Sequence, residues 1–186
     1  MSLPHKRTNA DLISGFSLDT IEATRLMYKA NLLGQMLVLM YSAIDSMGLL
    51  AAPPSQISAT GESFKSWVNK YLLPQDSSLE FIDVDLWAAR CAVLHTYTTQ
   101  SDLSRKATAR QIQYYSGDKN SEFSKAFVTA TRDIEDGAHV PVHIEDTWMA
   151  FCNGIKAFVA DLEDKCKTEL AYEVRLRNVL QHHFVG

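Results

Sequence analysis

The sequence predicts a mainly α protein: an antiparallel helical bundle with a small β-hairpin or strand insertion around residues 109–143. Apolar residues recur at three- and four-residue intervals in long windows at both ends of the chain, the mark of amphipathic helices. Only two short stretches, "RQIQYY" and "HVPVHI", show alternation or a proline-enforced extended backbone. With 186 residues, 46% of them hydrophobic and 22% charged, the chain suits one domain with a real core.

The elements follow in order. Residues 1–16 are polar and are expected to be flexible, which leaves 17–186 as the single helical domain. A first helix is expected from "SLDTIEATRL", where Asp19 and Glu22 have capping-box spacing. Leu26, Ala30, Leu33, Leu37, Met40, Ile44 and Met47 keep helical spacing after it, until Gly48 and Pro53–Pro54 stop the run. Because 32–41 is apolar nearly all round, it belongs in the middle of a bundle or against a second subunit. "GESFKSWVNKYLL" sets Phe64, Trp67, Val68, Tyr71 and Leu72 on one side and ends at Pro74. A third helix covers about 82–97. "ARQIQYYSGDKN" reads as a strand and turn, and 121–140 as either a partner strand or a short helix. Trp148, Phe151, Ile155, Phe158, Val159 and Leu162 then mark a long final helix that continues through "CKTELAYEVRLRNVL". Trp67, Trp87 and Trp148 fall on apolar stripes and are expected in the core.

Bulk chemistry narrows the function. A net charge of -4 argues against a broad duplex-DNA surface, which draws on clustered Lys and Arg. Cys91, Cys152 and Cys166 show no paired or zinc-binding spacing, so reduced thiols in a cytoplasm are expected. The apolar run "ANLLGQMLVLMYSAI" is interrupted by Gln35 and is short for a bilayer, so no membrane partner is expected. The glycines form no phosphate loop, and His139, His143, His182 and His183 lack metal-ligand spacing, so no cofactor and no metal are expected.

The helix at 82–97 carries the chemistry. "DLWAARCAVLHTYTTQ" holds Arg90, His95 and Tyr97 on an otherwise apolar background. At about 100° per residue, Arg90 and Tyr97 lie about 20° apart around the axis, and His95 about 140° from Arg90. Arg90 and His95 share a site only where the arginine reaches round the helix or the helix ends near Leu94. Self-cleavage of RNA by its 2′-hydroxyl needs a base, an acid and a cation on the phosphate. Histidine titrates near neutrality, and arginine meets phosphate oxygens with a fork of donors. The plainer reading makes Arg90 a helix-rim charge paired with Glu80, Asp83 or Asp85, and His95 a helix-end histidine. Ala88, Cys91 and Ala92 on the face of His95 would let another helix approach, which suits contact with a second copy.

"RCAVLHTY" resembles the R-x4-6-H signature of HEPN-domain proteins, in the R-x4-H-x-Y form of HEPN toxins paired with nucleotidyltransferase antitoxins. The resemblance implies a helical homodimer that cleaves RNA without a metal, with Arg90 and His95 as its catalytic pair. It implies that Tyr97 is the tyrosine such partners modify with AMP, and that Asp45 in "YSAIDSMG" is the acidic residue near the arginine. Where nuclease members commonly carry Asn after the arginine, this chain has Cys91. A chance R-x4-H is expected about 0.25 times in such a chain and R-x4-H-x-Y about 0.01 times, so the tyrosine carries the specificity. A second R-x4-H, Arg177 to His182 with Asn178, has no tyrosine and lies near the fraying end, and ranks below the first. The other readings left open are a non-catalytic module that binds nucleotide, RNA or protein, and a helical dimerisation protein without a site.

Overall fold

The computed structural model describes residues 7–96 and 101–180. The described residues are mainly helical with one small two-stranded sheet. α1 (Asn9–Lys29) begins ten residues before the Asp19–Glu22 pair. Thr8 caps it: its hydroxyl accepts from the Asp11 amide at 3.1 Å, and its own amide donates to Asp11 at 2.8 Å. Leu12 and Ile13 are buried, so residues 9–16 belong to the bundle rather than to a flexible segment. Glu22 pairs with Arg25 instead of capping. The expected continuous helix across 26–47 is broken at Asn31, whose φ of 56° is left-handed. Asparagine tolerates that conformation better than most residues, and the break lets α2 (Leu33–Ala51) fold back on α1.

α2 is the axis of the core. Met36, Met40, Ile44, Met47 and Leu50 are completely or almost completely buried, and α2 packs against α1 on one side. By length and composition alone α2 could cross a membrane, which corrects the expectation that the run is too short, but half of that window is buried inside this fold. α3 (Gly61–Trp67) packs on α2, and the helix widens into a π turn at Val68–Leu72 before a 3₁₀ turn that carries Pro74. Gly48 allows α3 close, since a Cβ there would stand 2.6 Å from the Ser63 carbonyl oxygen. Gly154 does the same for the π turn, at 2.8 Å from the Tyr71 carbonyl oxygen.

α4 (Asp83–Thr96) follows, then the short α5 (Asp102–Arg105) and β1 (Gln111–Tyr115). α6 (Glu122–Asp133) settles the ambiguous stretch as a helix, and β2 (His139–His143) leads directly into α7 (Ile144–Thr168) and α8 (Leu170–Leu180). The strands are parallel, in register from Gln111 opposite His139 to Tyr115 opposite His143. The expected insertion is therefore a crossover unit with α6 between its strands, not a hairpin; a tight turn joins only antiparallel strands. α7 and α8 close the bundle over α1 and α2. Trp67 is buried among Tyr71, Phe151 and Phe158 as expected, whereas Trp87 and Trp148 are only partly buried.

Candidate functional site

α4 is anchored at its start by Asp85, which is 1% exposed. Asp85 accepts from the backbone N–H of Ile82 and Arg110 and from the Arg110 guanidinium at 2.6 and 3.0 Å, and so fixes the helix against β1. Glu80 takes Arg132, and Asp83 takes the amide of Asn69. The three acids that the plainer reading offered to Arg90 thus have other partners.

Arg90 instead turns toward α2. Its Nε and Nη2 donate to the same oxygen of Asp45, Oδ2, at 3.0 and 2.6 Å. The two side chains are 18% and 16% exposed, which places the pair half inside the fold. Nη1 lies 3.3 Å from Nε2 of His95. As an arginine only donates, that contact sets the Nε2 lone pair toward Arg90 and the imidazole proton on Nδ1. His95 is exposed in the last turn of α4. The 140° separation on the helix is spanned by the length of the arginine, and Asp45, Arg90 and His95 form one chain of contacts between α2 and α4.

Three neighbours complete the surroundings. Cys91 is half-buried, and burial pushes its thiol up while the adjacent Arg90 charge pulls the other way; it is a free thiol held protonated. Trp87, three residues before Arg90, places its indole under the guanidinium, with Cζ 5.0 Å from the ring centroid. Its apolar-stripe position pointed to the core, yet an aromatic at i−3 from an arginine also meets it on one helix face. Tyr41, one turn before Asp45 on α2, is buried with its hydroxyl against that of Tyr114 on β1, and burial raises both phenols.

The remaining expectations sort as follows. Tyr97 lies outside the described residues, as do His182 and His183. Ala88 and Ala92 are each 2% exposed, packed inside their own chain, so they do not form the expected face for a second copy. Small side chains there let α4 approach α2 and α3 instead. Arg177 of the second motif bonds to Glu173 and to the carbonyl oxygen of Arg7. Its neighbour Asn178 lines an apolar groove of about 700 Å³ beside Ile57, Leu170 and Val174. No group of three or more His, Cys, Asp or Glu is arranged to hold a metal among the described residues.

The chain matches no family model, and neither a curated protein nor a solved structure matches it significantly.

Proposed function

We propose that this protein is a HEPN-like, metal-independent ribonuclease, acting as a homodimeric toxin or defence effector. The observation that carries the reading is the contact chain Asp45–Arg90–His95, which sets a buttressed cation beside an exposed imidazole. In the proposed reaction Arg90 Nη1 turns from His95 to the phosphate, and the 2′-hydroxyl attacks the adjacent phosphorus and gives its proton to the freed Nε2 of His95. The P–O5′ bond breaks, the 5′-oxygen takes a proton from a second, protonated imidazole supplied by the other subunit, and a 2′,3′-cyclic phosphate remains. Arg90 stabilises the charge that builds on the non-bridging oxygens. Asp45 fixes the guanidinium and touches no substrate. In the toxin–antitoxin setting a nucleotidyltransferase partner transfers AMP from ATP to the Tyr97 hydroxyl with release of pyrophosphate, adding bulk and negative charge two residues after His95 and lowering activity.

The test is cleavage of single-stranded RNA in EDTA. The wild-type chain should cut RNA, leave DNA intact and produce cyclic phosphate ends. His95→Ala should lose about 10²-fold or more, the scale of a missing general acid or base. Arg90→Ala should lose about 10²–10³-fold. Activity that persists in the Arg90/His95 double variant refutes the assignment. Cys91 after the arginine favours a second reading, a non-catalytic module holding RNA or nucleotide in the same place; it predicts Arg90-dependent binding without cleavage, and no gain of activity in Cys91→Asn.

A further inference from the structure

Asp45 secures only one edge of the Arg90 guanidinium. Both of its N–H bonds end on the single oxygen Oδ2. Two donors on one acceptor make a pivot rather than a fork, so the planar group can rock about that oxygen with both bonds kept. The contact to His95 is 3.3 Å long and exposed, too weak to stop such rocking. What limits such rocking is a surface beneath the group, and the indole of Trp87 lies there, with the guanidinium carbon 5.0 Å from its ring centroid.

The indole is itself held. Phe64, fully buried, packs against it with centroids 5.3 Å apart and planes inclined by 56°. At the Nε1–Cζ2 edge of the ring, Gly61 sits so close that a Cβ would stand 3.0–3.2 Å from Cε2, Cζ2 and Nε1. The first turn of α3 therefore serves as a stop for the ring, and the ring as a stop for the arginine.

We propose that Trp87 is a positioning residue: it sets the plane of the Arg90 guanidinium and thereby the direction of the N–H groups that remain on Nη1 and Nη2 for a phosphate. The phosphate in this statement rests on the ribonuclease reading above; the clamp on the arginine does not. Trp87 makes no contact with the reacting atoms, and its effect passes through Arg90.

Two measurements on the full chain test it. Held in one plane, the N–H bonds of Arg90 move little, so their nitrogen-correlated magnetic resonance signals show the relaxation of a rigid group. Trp87→Leu should give those signals the relaxation of a rocking group, while Trp87→Phe, with a smaller aromatic face, should keep part of the rigidity. In RNA cleavage Trp87→Leu should lower kcat about tenfold with KM nearly unchanged, and Trp87→Phe should recover most of the loss. A residue needed only for folding would reduce stability and the active fraction, and would take its ring-current shift away with the ring, but would leave the relaxation of the Arg90 signals of the folded molecules as it was. Trp87→Leu protein with wild-type Arg90 relaxation and kcat overturns the proposal. If Trp87→Leu fails to fold, Gly61→Ala presses on the ring edge, and unchanged Arg90 relaxation in it overturns the proposal equally. A wild-type chain that leaves RNA intact refutes the ribonuclease reading, and the resonance comparison then decides the clamp alone.

Discussion

Removing Asp45 should reveal how strongly it is coupled to Arg90. Opposite unit charges about 4 Å apart attract by about 4 kcal/mol at an effective dielectric constant of about 20. Desolvation and the ordering of two side chains offset more than half of that, which leaves about 1.5 kcal/mol for a pair only 16–18% exposed. Exposed pairs reach only about 0.2–1 kcal/mol. Each single substitution, Asp45→Ala or Arg90→Ala, also strands a half-buried partner, so each should cost about 2 kcal/mol, or about 4–8 °C in Tm for a chain of this size. The double variant should then cost about 2.5 kcal/mol rather than about 4 kcal/mol. Urea denaturation of the four proteins closes the cycle, with equal slopes as the check that the denatured state is unchanged. Repeating it in 1 M salt, where the screening length is about 3 Å, should leave most of the coupling, because solvent ions reach the pair poorly. Additive single costs, or a coupling that salt abolishes, would refute the half-buried pair and with it the support proposed for Arg90.

Other outcomes follow from the same packing. Burial, with the hydrogen bond to Asp161, pushes Tyr71 up to about 12 and raises Tyr41 and Tyr114 as well. Their contribution to stability is full below the ordinary phenol pKa and is lost as pH rises through the folded values, so a phenolate absorbance titration should show these three ionising late or only with unfolding. The Asp161 carboxyl is held below its usual range by the Lys70 and Tyr71 hydrogen bonds, so the stability it adds is present above the ordinary carboxylate pKa and is lost as pH falls through the lower folded value. Asp161→Asn should make acid unfolding shallower, and an unchanged acid limb would count against that bond. Gly48→Ala should cost about 1–3 kcal/mol in chemical denaturation, because the new methyl meets backbone that has to move; a neutral result would mean α3 yields freely.

The sequence carries the helices where packing follows local periodicity, and loses them where it does not. Phe64, Trp67, Val68, Tyr71 and Leu72 mark a buried side well enough to place 61–72, although the π turn at Val68–Leu72 leaves no mark in composition. The break at Asn31 escapes for a specific reason: apolar spacing continues straight across it, with no proline at the bend. Alternation in "RQIQYY" gives a strand but not its direction, since the parallel pairing is decided by the crossover through α6. At the site, Arg90 and His95 were legible as a spaced pair, and Asp45 through the family resemblance. The role of Trp87 depends on where Gly61 and Phe64 come to lie in three dimensions, which spacing along α4 cannot show.

The chain order of the bundle bears on how the protein is made. Synthesis delivers Asp45, Arg90 and His95 early, on the neighbouring helices α2 and α4. The helices that close over α1 and α2, α7 and α8, emerge after them. Until they do, part of the apolar surface of α2 is uncovered, and the scaffold that holds Asp45 toward Arg90 is incomplete. A nascent chain stalled after α6 should thus be open to protease within α1 and α2, and release of α7 and α8 should convert it to a protected form. On this topology the arginine and the histidine exist well before the rigid frame they depend on, and in that interval the apolar surface of the bundle is at its most accessible.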